Sequence, residues 1–181
     1  MTAVIDACVL YPTVLREIVI GTARADLIRP KWSDRLLEEW FRTAARHGGQ
    51  ADEAIARGEA ARLNAEFPGA MTRADPLREA QLWLPDPGDI HVLTTAVTAR
   101  AQMIVTLNLR DFPCSELIAH DLGAIHPDAM LYGLWLDHPD PVTRIVNQVH
   151  TRAAALFGQP LALKPLLKRA RLPRLAKALA A

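Results

Sequence analysis

Hydrophobic and polar positions along the chain fall into short, distinct periods. Thr2 to Ala7, TAVIDA, strings small and β-branched residues together without a polar alternation, as in a strand buried on both faces of a parallel sheet. Pro12 ends it. From Thr13 to about Ala25, Leu15, Ile18, Val19 and Thr22 recur at helical spacing. A helix capped by Ser33, with Asp34 in its first turn, runs through DRLLEEWFRTAARH to Gly48-Gly49. Another runs from about Asp52 to Glu66 and stops at Pro68-Gly69. AQLWL, Ala80 to Leu84, reads as a second strand. Asp86-Pro87 then reads as a helix start leading into GDIHVLTTAVTARA. MIVTL, Met103 to Leu107, is a third strand, and Ala124 to His126 a brief fourth followed by a helix after Pro127. Residues from about Pro141 to Phe157 form one more helix, and LKPLLKRARLPRLAKALAA one or two short basic helices broken by Pro173. Alternating strands and helices predict an α/β fold with a short parallel sheet and a C-terminal helical extension.

With 181 residues, 50% of them hydrophobic, the chain is long enough for one well-cored domain with an appendage and too short for two ordinary domains. Its formal charge of +1 hides an uneven distribution, since acids gather near strand ends while the last two dozen residues carry bases and no acid. Cys8 and Cys114 stand far apart in no paired spacing, which excludes a disulfide framework and a cysteine zinc site and fits a reducing compartment. Asp6 follows the start after only a few residues, so no signal peptide is expected, and no apolar run approaches the roughly 20 residues of a membrane helix. A soluble cytoplasmic protein is the expectation.

The chemistry is concentrated in single acids. In an open parallel sheet, reactive groups collect beyond the carboxyl ends of the strands. Asp6 ends the first strand, Asp89 starts the helix after the second, and Asp111 lies just past the third, so three distant acids map to one edge. Such an arrangement repels itself unless a hard cation such as Mg²⁺ or Mn²⁺ compensates it. Structural readings compete. Asp86 before Pro87 is an ordinary helix cap, Asp89 suits the helix dipole, and Asp111 before Phe112-Pro113 could form a side-chain turn. Asp6, directly after Ala-Val-Ile in a central strand, has few structural excuses. Helix geometry does not choose between Glu38 and Glu39, which flank the stripe Leu36, Leu37, Trp40, Phe41 and Ala44 on opposite sides. His91, two residues past Asp89, turns to a different face; it reads as structural, with substrate contact as the sharper alternative.

The segments VIDACVLYP, WSDRLLEEW, DPGDIHVLTTAV and IVTLNLRDFP, in this order and spacing, resemble the PIN-domain nucleases, and within them the toxin-like branch called VapC-like. The resemblance covers roughly Ala3 to Met130. It implies a three-layer α/β/α sandwich over residues 1–135 with a helical extension over 136–181 packed on it. It also implies an acidic pocket that binds Mg²⁺ or Mn²⁺ and cleaves RNA, the toxin of a toxin–antitoxin pair, and a homodimer. By matching positions, Asp6, Glu39, Asp89 and Asp111 are the catalytic acids, with Asp6, Asp89 and Asp111 as metal ligands. Asp86, Thr106 and Asn108 are accessory, Asn108 standing where other members place Asp, so that one metal is the safer expectation. Asp6 and Asp89 would ligate the ion, Asp111 would ligate it or orient a water, and Glu39 would position or deprotonate the attacking water.

Of two alternatives, the first is set aside and the second stays open. A dehalogenase-like phosphatase needs a second Asp two residues after Asp6, where this chain has Cys8. A degenerate PIN fold could bind RNA or a protein without cutting, and Asn108 keeps that reading alive. The tail bases Lys164, Lys168, Arg169, Arg171, Arg174 and Lys177 alternate with leucines, as in an amphipathic helix docked through its Leu face or a clamp for RNA or an acidic partner.

Overall fold

The computed structural model describes residues 1–158 and 160–179. Along the chain it has β1 (Thr2–Ile5), α1 (Ala7–Leu10), α2 (Thr13–Arg24), β2 (Arg29–Lys31), α3 (Asp34–Glu66), α4 (Pro76–Glu79), α5 (Ile90–Thr98), β3 (Met103–Val105), α6 (Cys114–Ile118), β4 (Gly123–Ile125), α7 (Pro127–Asp137), α8 (Pro139–Phe157), α9 (Leu163–Arg169) and α10 (Pro173–Ala178). Tight 3-10 turns cover Pro87–Asp89 and Leu109–Asp111. The architecture is an α/β fold whose sheet, among the described residues, has four parallel strands in the order β2-β1-β3-β4. Two compact units divide the chain: residues 1–11 with 29–125, and residues 12–28 with 126–181.

The first unit holds the sheet. Ala3, Val4 and Ile5 of β1 and Ile104 and Val105 of β3 are wholly buried, as the unbroken apolar runs require of central parallel strands. Register pairs Ala3 with Met103, Val4 with Ile104 and Ile5 with Val105. The ladder continues one step past both strands, with Asp6 N–H donating to Val105 O (3.1 Å) and Thr106 N–H to Ile125 O (3.1 Å). The next pair after Ile5–Val105 is therefore Asp6 beside Thr106. Helix α5 packs on β1 and β3. Ser33 caps α3 by accepting from Leu36 N, as its position predicts. The expected break at Gly48-Gly49 is a kink at Gly49, whose φ of +70° suits glycine, inside the single span of α3.

One strand expectation is corrected, and one strand was not expected. AQLWL is not a strand: Ala80 to Leu84 leaves α4 as a turn and irregular chain, anchored by Leu84 alone, while Trp83 is 61% exposed. The strand beside β1 on the side away from β3 is Arg29–Lys31, three residues containing Pro30. Proline is tolerated there because β2 lies at the sheet edge, where the missing N–H need not reach a neighbour.

The second unit is helical. Helices α2 and α8 approach closely at Gly21, where a methyl group would collide with Ile145 Cγ2. Buried Asp128 on α7 caps α10, its carboxylate accepting from Arg174 N (2.9 Å) and Leu175 N (3.1 Å). The tail leucines Leu166, Leu167, Leu172 and Leu175 are buried, while Lys164, Lys168, Arg169, Arg171, Arg174 and Lys177 are exposed. Among the described residues no helix is long and apolar enough to cross a membrane.

Candidate functional site

Every acid singled out in the sequence lies in the first unit, and Asp6 is the fixed point among them. It is 6% exposed at the carboxyl end of β1 and, though it stands at the N-cap position of α1, its side chain makes no capping hydrogen bond. A carboxylate this buried needs donors. Thr106 Oγ1 donates to Asp6 Oδ2 at 2.6 Å, a cross-strand contact that the register dictates, and Cys8 Sγ donates to the same oxygen at 3.0 Å. Backbone N–H groups of the loop after β3 close the network, Asn108 N donating to Thr106 Oγ1 (3.0 Å) and Leu107 N to Cys8 Sγ (3.3 Å). Asp6 Oδ1 takes part in neither side-chain bond, so one oxygen is tied to the scaffold and the other is left for chemistry.

Asp89 reports that the remaining acids converge. Its pKa is pushed up to about 6, first by burial and then by the negative charges of Asp6, Asp111, Asp86 and Glu39, in that order. These carboxylates come from the end of β1, the loop after β3, the turn before α5 and the first half of α3, so the fold gathers five acids that the sequence scatters over more than a hundred positions. Asp89 starts α5 but caps nothing with its side chain. Asp86 does act as a cap, accepting from Gly88 N at 2.8 Å. Asp111 closes its turn through the backbone, its N–H donating to Asn108 O at 3.1 Å. Asn108 itself is exposed and joins the network through its N–H.

The two glutamates part company. Glu38 pairs with Arg57 (3.3 Å) and Arg42 (4.0 Å) on an exposed face. Glu39 turns toward Asp89, with its Oε1 2.7 Å from Nε2 of His91. His91 and Cys8 are the residues whose contacts the sequence reading missed. Each lies two positions after an acid, and nothing in that spacing announces a reach to another element. Burial, then the neighbouring Asp6 charge, pushes the Cys8 thiol up to about 12, so Cys8 acts as a protonated donor and offers no thiolate.

Hard oxygen donors without a thiolate fit a hard divalent cation. No group of three or more His, Cys, Asp or Glu side chains among the described residues is gathered tightly enough to cage an ion.

A family model described as PIN domain matches residues 2–110. A protein of Mycobacterium tuberculosis whose name reads "Putative ribonuclease VapC50" is 49% identical over 43 residues, which are 24% of this chain and 25% of that protein. The chain thus spans about a quarter of the length of this curated relative. No solved structure matches.

Proposed function

The chain belongs to the PIN-domain family, and from that premise we propose that it is a ribonuclease that hydrolyses RNA phosphodiester bonds with the help of Mg²⁺ or Mn²⁺. The observation that carries this reading is the gathering of Asp6, Asp111, Asp86 and Glu39 around half-buried Asp89, whose pKa burial and these charges push up to about 6. Four like charges bearing on a fifth carboxylate are costly to a folded protein, and a cation between them converts that cost into binding.

Asp6 and Asp89 would hold the ion, with Asp111 ligating it or orienting a water. When bound, the cation neutralises the cluster and draws charge from the scissile phosphate. Thr106 and Cys8 orient Asp6 through their bonds to Oδ2. Glu39, 35% exposed, positions the attacking water or takes its proton. Asn108, neutral where an acid would add charge, keeps the total low enough for a single ion. The ribonuclease named in Mycobacterium tuberculosis supports RNA as substrate. As part of the same proposal, the protein is the toxin of a toxin–antitoxin pair and acts in the cytoplasm as a homodimer.

The test is cleavage of single-stranded and structured RNAs by purified protein with Mg²⁺ or Mn²⁺, against chelator, Asp6→Asn and Asp89→Asn. Cleavage that survives in the variants belongs to a contaminant and removes the catalytic claim. Growth arrest on expression, relieved by Asp6→Asn, tests the toxin role, and light scattering tests the dimer. Asn108, neutral where an acid would ligate, favours one second reading, a PIN module that binds RNA without cutting it. RNA binding with no metal-dependent product would establish that reading.

A further inference from the structure

We propose that His91 is a positioning residue for the reaction: its Nε2 holds Glu39 Oε1, fixing the glutamate whose other oxygen faces the attacking water. The assignment rests on the nuclease reading of Glu39.

His91 is 3% exposed on α5, and its Nε2 lies 2.7 Å from Oε1 of Glu39 on α3, so two elements far apart in sequence meet at this contact. Neither Nδ1 nor Nε2 makes an aligned hydrogen bond among the described residues. A histidine buried to stabilise a core has its nitrogens satisfied, because an unmet buried polar atom is destabilising. Here the polar contact that the imidazole does make is with a carboxylate of the acidic cluster. At 2.7 Å the pair lacks only direction, and the broad terminal torsion of a glutamate supplies it by rotation.

The neighbouring residue shows what Glu39 would be without this contact. Glu38, one position earlier on α3, is drawn outward by Arg57 and Arg42. A long side chain on a helix surface samples many rotamers, and a base that must meet a water in one geometry gains from losing them. His91 supplies that restriction from beneath, on a helix whose first residue follows Asp89, so the position of Glu39 is tied to that of the acid it faces.

Full-length wild type, His91→Phe, His91→Gln, Glu39→Gln and Asp6→Asn are assayed on a fluorescent single-stranded RNA with Mn²⁺. Phenylalanine keeps the ring without a donor, and glutamine can present an amide N–H near the place of Nε2. We expect His91→Phe to lower kcat about 10- to 100-fold with little change in KM, His91→Gln to recover most of it, and His91→Phe to add nothing in a Glu39→Gln background. The contact is read without catalysis by urea unfolding of the His91→Phe and Glu39→Gln cycle in chelator, where a coupling different from zero is expected. Zero coupling, a loss by His91→Phe that persists in full in the Glu39→Gln background, or folded His91→Gln no more active than His91→Phe overturns the proposal. Wild type that cleaves no RNA, or Asp6→Asn that cleaves as well as wild type, fells the nuclease reading instead, and the unfolding cycle still reports separately whether His91 holds Glu39.

Discussion

Replacing Asp89 by asparagine should stabilise the protein while abolishing its proposed activity. The Asp89 carboxyl rises from 3.8 to about 6 on folding, which at about 1.4 kcal/mol per tenfold corresponds to roughly 3 kcal/mol of penalty when it is ionised. The group is partly open to solvent, so screening reduces this to about 1–2 kcal/mol. The sign follows from linkage. A raised folded-state pKa means that the native state binds the proton more tightly, so the penalty is absent below about pH 4, grows between pH 4 and 6, and is complete above 6. Asparagine removes the charge at nearly constant volume, and since the Asp89 side chain caps nothing, no cap is lost. In EDTA at pH 7.5 the variant should therefore unfold about 1–2 kcal/mol later in urea than wild type, a gap of about 2–8 °C in Tm, closing as the pH falls to 4. Mg²⁺ should reverse the order, since wild type gains about 2.7 kcal/mol at a hundred times its Kd and the variant gains less. A variant no more stable than wild type at pH 7.5, with a gap flat in pH, would mean that the acids do not press on Asp89.

Thr106→Val leaves the Asp6 carboxylate with one donor fewer on Oδ2 and should cost about 1–3 kcal/mol in urea unfolding, with Thr106→Ser near wild type; equal stability of the two variants would contradict this. Because Cys8 stays protonated up to about pH 12, iodoacetamide at pH 8 should alkylate exposed Cys114 and spare Cys8, as mass spectrometry of peptides would reveal. Asp128→Ala removes both acceptors at the start of α10 and should cost about 1–2 kcal/mol, with faster amide exchange over residues 173–178 and none over β1 and β3.

The parts of the fold that could be read from the chain are those in which one short window carries the whole signal. TAVID announces a central strand with an acid at its end, because burial on both faces demands an unbroken apolar run and leaves Asp6 without a local excuse. SDRLL announces a capped helix, and Ser33 does cap it. Arg29–Lys31 could not be read this way. An edge strand of three residues needs no apolar alternation, and Pro30 suggests a loop. AQLWL failed for the converse reason: a cluster of apolar residues satisfies a strand template, but of these five residues only Leu84 is buried, and the segment pairs with no strand of the sheet.

The choice between Glu38 and Glu39 marks where local pattern ends. Both flank the buried stripe of α3 at similar angles, so no period of one helix separates them. What separates them is contributed by other parts of the chain: Arg57, from the half of α3 beyond the Gly49 kink, draws Glu38 outward, and His91, from α5, receives Glu39. Register does the same for Asp6 and Thr106, exactly one hundred residues apart yet neighbours because Ile5 pairs with Val105. A site of this kind is assembled by tertiary partners of its acids as much as by the acids. The residues that orient the carboxylates, Thr106, Cys8 and His91, carry the structural information that spacing along the chain could not.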